Sequence, residues 1–345
     1  MHAAFYEGHR TITTGPCQPV PPGPGEAQIR VSHCGICGTD LHIFHGDMDR
    51  RVHMPQIMGH EVSGIVSAVG AGVEGLAVGE RVAVRPLDPC GECPACRAGH
   101  SHICQNLKFL GIDTPGGLQS YWTIPADILH RLPPQLSLAH GAMIEPLAVA
   151  CHDVRRGAVR AGDYVTVIGG GPIGTLIALV ARAASARVLI SEVNPFRLAL
   201  ARELGIETIH PGECDLAAHV NEQTGGAGAD VVFEVSASAA GAAAMTDLAR
   251  TRGRIVVVGI FSQPPQVNLH RVFWRELSLI GARVYEREDF DRAIELAASG
   301  VLPLDRLITD IRPLDQLGAS LEQMESGGEV MKILLEIDAT SQEAV

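Results

Sequence analysis

Between residues 146 and 284 the chain alternates two hydrophobic textures. YVTVIG (164–169), ARVLISE (186–192), ADVVFEV (229–235) and GRIVVVG (253–259) are short apolar runs rich in valine and isoleucine. PIGTLIALVARAA, PFRLALARELG and AAGAAAMTDLART lie between them and carry the spacing of helices. Strands apolar on both faces, alternating with helices, predict a parallel sheet covered on both sides. Residues 1–145 read differently: IRVSHCGICG, EVSGIVSAVGAGV and ERVAVRP are short strand-like runs, and five prolines fall between Pro16 and Pro24. That punctuation predicts a mostly-β domain. The tail, 285–345, is mixed, with helices expected at DFDRAIELAASG and near QLGASLEQMES and a last strand at VMKILLEI.

A length of 345 residues fits two domains at about 150 residues each. Tyr164 to Ala181 is eighteen residues without a charge, near the length of a membrane span. Gly169, Gly170, Gly171 and Pro172 break it in the middle, so a strand–turn–helix is the better reading. The N-terminal MHAAFYEGHR has no apolar run of the secretory kind. A formal charge of −12 disfavours nucleic acid, whose binding rests on Lys and Arg neutralising phosphates. Nine cysteines, an odd number in a chain this long, argue against a disulfide framework. The expectation is a soluble, cytoplasmic protein in a reducing compartment, where clustered cysteines bind metal.

Four of those cysteines follow Cys90-x2-Cys93-x2-Cys96-x7-Cys104. Four thiolates so close can surround one tetrahedral Zn²⁺ and leave no open position, so this site is expected to be structural. Redox cysteines or an iron–sulfur cluster are the alternatives. A second pattern, Gly169-x-Gly171-x-x-Gly174, follows the YVTVIG strand and opens the helix at Pro172. In that context it predicts a dinucleotide pyrophosphate seated on a helix N-terminus. Glu192, 18 residues after Gly174, ends the next strand. Its carboxylate would bond both adenosine ribose hydroxyls and repel a 2′-phosphate, favouring NAD over NADP; a solvated strand-end carboxylate is the plain alternative. A third, dispersed set is Cys34-Gly-Ile-Cys37-Gly-Thr39-Asp40-Leu-His42, followed by Gly59-His60-Glu61. Cys37, His60 and a carboxylate would give the mixed three-ligand shell of a catalytic zinc. A hydride acceptor and a Lewis acid together make a complete alcohol-oxidising pair.

With these residues in view, the sequence resembles the zinc-dependent medium-chain alcohol dehydrogenase family, and within it the polyol (sorbitol-type), sugar-acid and threonine dehydrogenase branch. GICGTDLH, MGHE, the four-cysteine lobe, IEPLAVACH and GGGPIG all fall in family order, over about residues 2–337. The resemblance implies an α/β fold: a Rossmann doubly wound parallel sheet (146–284) inserted into a mostly-β GroES-like catalytic domain (1–145 and 285–345), with a structural zinc lobe at 88–105. It implies two zinc ions per chain and NAD. Cys37 and His60 would ligate the catalytic zinc; the fourth ligand stays open between Glu145, Glu61 and a water, since Glu145 stands where many relatives have cysteine. Asp40 would orient His60. Thr39 would take the substrate hydroxyl proton, and His42 would pass it to solvent through the cofactor ribose. Pro172, Ile173 and Arg197 would join the glycines at the cofactor, and Lys332 would approach its pyrophosphate. Cys17, Cys34, Cys151 and Cys214 read as buried free thiols.

The implied reaction is reversible hydride transfer from a secondary alcohol (a polyol, sugar alcohol or sugar acid) to NAD⁺, giving a ketone. Phe44, Arg283 and Tyr285 are the candidate substrate contacts, and Arg283 could meet a carboxylate. Trp122 and Phe109 could line the pocket or belong to the core. The alternatives are an L-threonine 3-dehydrogenase, whose histidine is missing from AVRPLDP, and a butanediol-type enzyme. A non-catalytic zinc- and NAD-binding protein is disfavoured by the intact Cys37, Thr39, Asp40, His42 and His60. The expected partners are a small alcohol or ketone and further copies of the chain, a tetramer before a dimer, with neither nucleic acid nor membrane.

Overall fold

A computed structural model describes residues 1–337; residues 338–345, the end of the tail assigned above to the catalytic domain, lie outside the described residues. The chain separates into two compact units, Met1–Glu145 with the chain from Phe290 onward, and Pro146–Asp289. Residues 285–289, placed above with the tail, thus fall in the second unit. Their side chains explain it. Asp289 Oδ1 accepts from Arg155 Nε at 2.7 Å, and Asp289 Oδ2 lies 2.8 Å from His152 Nδ1. Arg155 also pairs with Glu286 and, at 2.9 Å, with Glu288.

The first unit is built on a seven-stranded sheet. Its path runs Leu129–Arg131, Arg81–Val84, Glu61–Val69, Glu26–Gly35, Lys332–Glu336 and Ile308–Pro313, with Tyr121–Pro125 also paired to Glu26–Gly35. Glu26–Gly35 begins as an alternating strand, with Ala27, Ile29 and Val31 buried between more exposed Glu26, Gln28 and Arg30. From Val31 to Gly35 every residue is buried. The antiparallel partner starts with four buried residues, Glu61 to Gly64, and pairs Glu61 with Gly35. Lys332–Glu336 is buried over its first four residues and pairs Leu334 with Gly35 on the other side. One end of the sheet is therefore covered on both faces, and GICGTDLH and MGHE attach there.

The 88–105 lobe has no apolar core. Only Cys93, His102 and Cys104 are buried in it, and its regular structure is one helical turn, Pro94–Arg97, and a 3₁₀ turn, Ser101–Ile103.

The second unit holds a six-stranded parallel sheet in the order Glu207–Ile209, Arg187–Ser191, Tyr164–Ile168, Ala229–Glu234, Ala249–Val257, Ser278–Gly281. Helices Pro172–Ala183, Pro195–Glu203 and Ala239–Leu248 connect strands. All five residues of Tyr164–Ile168 are buried, as a strand covered on both faces must be. Leu189, Val232, Met245, Leu248 and Ile255 share one core cluster. The helical pattern AAGAAAMTDLART ends sooner than its spacing implied: Ala249 pairs with Ala229, and Arg250 Nε bonds Asp230 at 2.6 Å, which draws 249–251 into the sheet. The two edge strands went unread because ETI and SLIG are three and four residues long and mostly exposed or half-buried. Strand order reverses between Tyr164–Ile168 and Ala229–Glu234, the topological switch point where nucleotides bind. Among the described residues no helix is long and apolar enough to cross a membrane.

Candidate active site

Cys37 and His60 meet at the doubly covered end of the first unit's sheet. Cys37 is the N-cap of the helix Gly38–Phe44, its sulfur accepting from Thr39 N at 3.2 Å. His60 is buried and turns Nε2 toward Cys37 Sγ at 3.1 Å. Two lone-pair donors facing each other this closely are what a shared cation draws together. One ligand atom each from Cys37, His60 and Glu61 lies within 4.8 Å of the others. Mixed S, N and O donors, with room for one more, fit a catalytic Zn²⁺. Phe109 packs edge-on against the His60 ring, centroids 5.2 Å apart. Burial depresses His60, but the neighbouring charges of Cys37, Asp40 and Glu145 outweigh it and lift the imidazole well above its usual range.

Glu145 is buried and stands outside that cluster of ligand atoms. Asp40 does not orient His60 as expected. Its Oδ2 accepts from Cys37 N at 2.9 Å, closing a capping box, while Asp40 Oδ1 and His60 Nδ1 are both buried without a hydrogen bond. The helix start, not the ring, has captured this carboxylate. Thr39 and His42 are three residues apart on one helix and share a face. His42 is exposed, with Nδ1 3.0 Å from Asp47 Oδ2.

Lys332 is a further correction. It does not reach for a pyrophosphate: its Nζ lies 2.7 Å from both Glu61 oxygens and donates to Ile36 O at 3.1 Å, and both side chains are 2% exposed. Phe44 and Tyr285, offered as substrate contacts, are core residues. The Phe44 ring is covered by Arg10, 4.7 Å from its centroid, and Tyr285 is entirely buried, so neither presents a surface to a ligand. Arg283 is exposed, and Trp122 is buried. Of the cysteines outside the two metal sites, Cys34 and Cys151 are buried as expected, but Cys17 is half-buried and Cys214, in a loop before a helix, is exposed. Burial pushes the Cys34 thiol far up, which makes it inert.

The four lobe cysteines converge. Sγ separations are 3.5 Å for Cys93–Cys96, 3.8 Å for Cys93–Cys104 and 3.4 Å for Cys104–Cys90. A tetrahedron with Zn–S of about 2.3 Å has edges of roughly 3.8 Å, whereas a disulfide needs about 2.05 Å. The spacing fits zinc. Backbone N–H groups of Cys96 and Gln105 bring the Cys93 thiol down to about 6, and burial with its thiol neighbours pushes Cys96 up to about 12.

In the second unit, Gly169 adopts φ +102° against Ser236 at the switch point, and a Cβ on Gly174 would sit 1.9 Å from Gly169 O. At Gly171 nothing but the far end of Arg197 comes within 4 Å of a built Cβ, leaving the loop's outer face open. Pro172 and Ile173 start the helix half-buried, and Arg197 Nε is buried without a partner. Open backbone plus an unpaired guanidinium N–H fits an anionic dinucleotide. The Glu192 carboxylate accepts from Gly170 N (2.7 Å), Val193 N (2.6 Å) and Asn194 N (2.8 Å). Three of a carboxylate's roughly four acceptor sites are so taken, leaving one for a ribose hydroxyl rather than the two expected.

Residues 23–134 match the alcohol dehydrogenase GroES-like domain and residues 172–299 the zinc-binding dehydrogenase domain. The chain is 52% identical to the 2-dehydro-3-deoxy-L-galactonate 5-dehydrogenase of Pseudoalteromonas atlantica, over 98% of this chain and 99% of that one. It is 34% identical to the sorbitol dehydrogenase of Halalkalibacterium halodurans, over 95% and 96%. Among solved structures, one described as a zinc-binding dehydrogenase from Sinorhizobium meliloti 1021, bound to NADP, superposes with a TM-score of 0.92 at 32% identity, covering 97% of this chain and 99% of that one.

Proposed function

Since this chain belongs to the zinc-dependent medium-chain alcohol dehydrogenase family, we propose that its substrate is a sugar acid, a 3-deoxy-2-keto aldonate whose secondary hydroxyl is oxidised to a ketone with NAD⁺. The class of reaction, dehydrogenation of an alcohol, is common to the names of its relatives, and the glycine loop supports a dinucleotide as the hydride acceptor. The observation that carries the narrower reading is identity of 52% along nearly the whole chain to an enzyme named for such a substrate, against 34% to a sorbitol enzyme.

The residues act as follows. Cys37 and His60 hold the catalytic metal, and Phe109 fixes the plane of the His60 ring. When bound, Zn²⁺ acidifies a hydroxyl as a Lewis acid and NAD⁺ accepts hydride. Thr39 receives the hydroxyl proton, and His42 on the same helix face delivers it to solvent, its ring steadied by Asp47. Glu145 keeps a negative charge near the imidazole of His60. Gly169, Gly171 and Gly174 seat the dinucleotide, and Glu192 selects its ribose. Cys90, Cys93, Cys96 and Cys104 hold the structural zinc.

We further infer a cytoplasmic homo-oligomer, a tetramer before a dimer. An odd count of nine cysteines, four of them converging in one lobe, supports a reducing compartment. Phe273 (75% exposed) and Trp274 (67% exposed) on the helix Leu269–Trp274, with Leu279 on the edge strand, support a surface covered by another copy.

The test is NAD⁺ reduction by purified protein offered 2-dehydro-3-deoxy-L-galactonate, other sugar acids, sorbitol, 2,3-butanediol and L-threonine. The keto sugar acid is expected to exceed the polyols, the diol and threonine in kcat/KM by at least about a hundredfold, since a site that hydrogen-bonds substrate polar groups rejects analogues lacking them by up to about 10⁴–10⁵. A preference for sorbitol or threonine would overturn the reading.

A further inference from the structure

We propose that Asp47 is a positioning residue for proton release: its carboxylate holds the Nδ1–H of His42 and so leaves Nε2 as the atom that takes up the proton passed from Thr39. The inference deepens the reading of Thr39 and His42 as the proton path, and rests on it.

The backbone places this carboxylate before it meets the ring. The helix Gly38–Phe44 is capped by His45, and Gly46 follows in the left-handed region at φ +84°. Gly46 N donates to Ile43 O at 2.9 Å, and Asp47 N donates to His42 O at 3.0 Å. These are the two bonds of a Schellman motif, which folds the second residue past the cap back over the last turn. Asp47 is that residue, and His42 is the one whose carbonyl it satisfies. The loop beyond is anchored as well. Asp49 N donates to Gly46 O at 3.2 Å, and Asp49 Oδ1 accepts from the hydroxyl of the buried Tyr6 at 2.8 Å. Burial, and then that bond, push the Tyr6 phenol up to about 12, so it remains a donor in neutral water.

Asp47 Oδ2 lies 3.0 Å from His42 Nδ1, and both side chains are more than half exposed. As a surface ion pair such a contact is worth little. What matters is which nitrogen it occupies. A carboxylate only accepts, so the shared hydrogen belongs to Nδ1, and a neutral imidazole with Nδ1–H has its lone pair on Nε2. Thr39 stands three residues earlier on the same helix face. Nε2 can accept a proton, form an imidazolium that Asp47 faces, and give the same proton to water; Asp47 stays ionised throughout. In the other tautomer Nε2 already carries hydrogen and can receive nothing. The carboxylate of a hydrolytic triad acts on its histidine in the same two ways, setting the tautomer and facing the cation.

Protein labelled with ¹⁵N-histidine tests this, because the two ring nitrogens of a neutral imidazole give distinct shifts according to which carries hydrogen. His42 is identified by the resonances missing from His42→Asn. At about pH 9, where an ordinary imidazole is neutral, His42 is expected as the Nδ1–H tautomer. Asp47→Asn, whose amide can donate to Nδ1, should convert a large part of it to Nε2–H. It should also lower kcat with the best alcohol by about tenfold or more, a share of the roughly 10²–10⁴ that positioned proton transfer supplies, with KM for NAD⁺ unchanged. Asp47→Glu should restore the tautomer and most of kcat, and imidazole in the buffer should relieve Asp47→Asn as a substitute base. An unaltered tautomer in Asp47→Asn, an altered one with parental kcat, or a loss that neither Asp47→Glu nor imidazole relieves would overturn the role of Asp47. His42→Asn separates the premise: parental kcat in that variant means that the proton does not pass through His42, and the proton path has failed rather than the positioning.

Discussion

Asp153, on the helix Ile144–Arg156, has both carboxyl oxygens buried without a hydrogen bond. Burial first, then the charge of Asp289, pushes it well above the usual carboxylate range. A group raised on folding contributes fully below its unfolded pKa, about 3.9, and that contribution is lost as pH climbs toward the folded value. At pH 7 Asp153 therefore weakens the fold. Asp153→Ala, with a good helix former, should gain about 1–3 kcal/mol at pH 7 and much less at pH 4 in urea titrations; a loss at pH 7 would refute this. Glu192 stands at the opposite extreme, with three N–H donors on one carboxylate. Glu192→Ala should cut the NAD-to-NADP ratio of kcat/KM by about tenfold or more, as expected for a hydrogen bond to a charged group. An unchanged ratio would remove Glu192 from the ribose site. Residue types were legible in the sequence wherever chemistry demands a fixed spacing, as at Cys90–Cys104. The partner of Glu61 was not, because Lys332 lies 271 residues away and meets it across an intervening strand.

Among the elements, the 88–105 lobe depends most on something other than packing. With three buried residues, it lacks the apolar area to order eighteen. Metal binding, worth roughly 10–16 kcal/mol in isolated zinc-finger peptides, is the term that can do so. Cys96→Ser should release one zinc and open the lobe to protease while NAD still binds; a lobe equally resistant in the variant would show that the thiols hold it without metal. The cofactor sheet was readable because strands covered on both faces are apolar throughout, as in Tyr164–Ile168. Glu207–Ile209 and Ser278–Gly281 escaped because an edge strand carries half that signal. Asp40 was misread for a related reason: the sequence does not reveal that a carboxylate three residues after Cys37 caps its own helix before it serves a histidine.

For the whole molecule, two zinc sites of different construction predict two zinc ions per chain, lost at different rates to a chelator; one per chain in intact protein would eliminate a site. Trp274→Glu should shift the assembly toward smaller species in analytical ultracentrifugation, with no shift meaning that the Leu269–Trp274 face is not an interface. Texture distinguished three successive regions and the family resemblance implied that the first and last belong together; the second boundary between compact units lies at Asp289 rather than at residue 284. That boundary is set by Arg155 and His152 holding Asp289, a contact between residues 134 and 137 positions apart. The same contact has a genetic consequence. It ties the last residue of the continuous unit, Pro146–Asp289, to a helix near its first, so the segment leaves and re-enters the rest of the chain close to one place. A segment whose ends already meet can be spliced into a host loop without stretching either partner. Both ends of residues 146–289 fall inside helices, Ile144–Arg156 and Arg287–Ala298, so an insertion that keeps this clasp has to carry whole helices rather than stop at the unit's boundary.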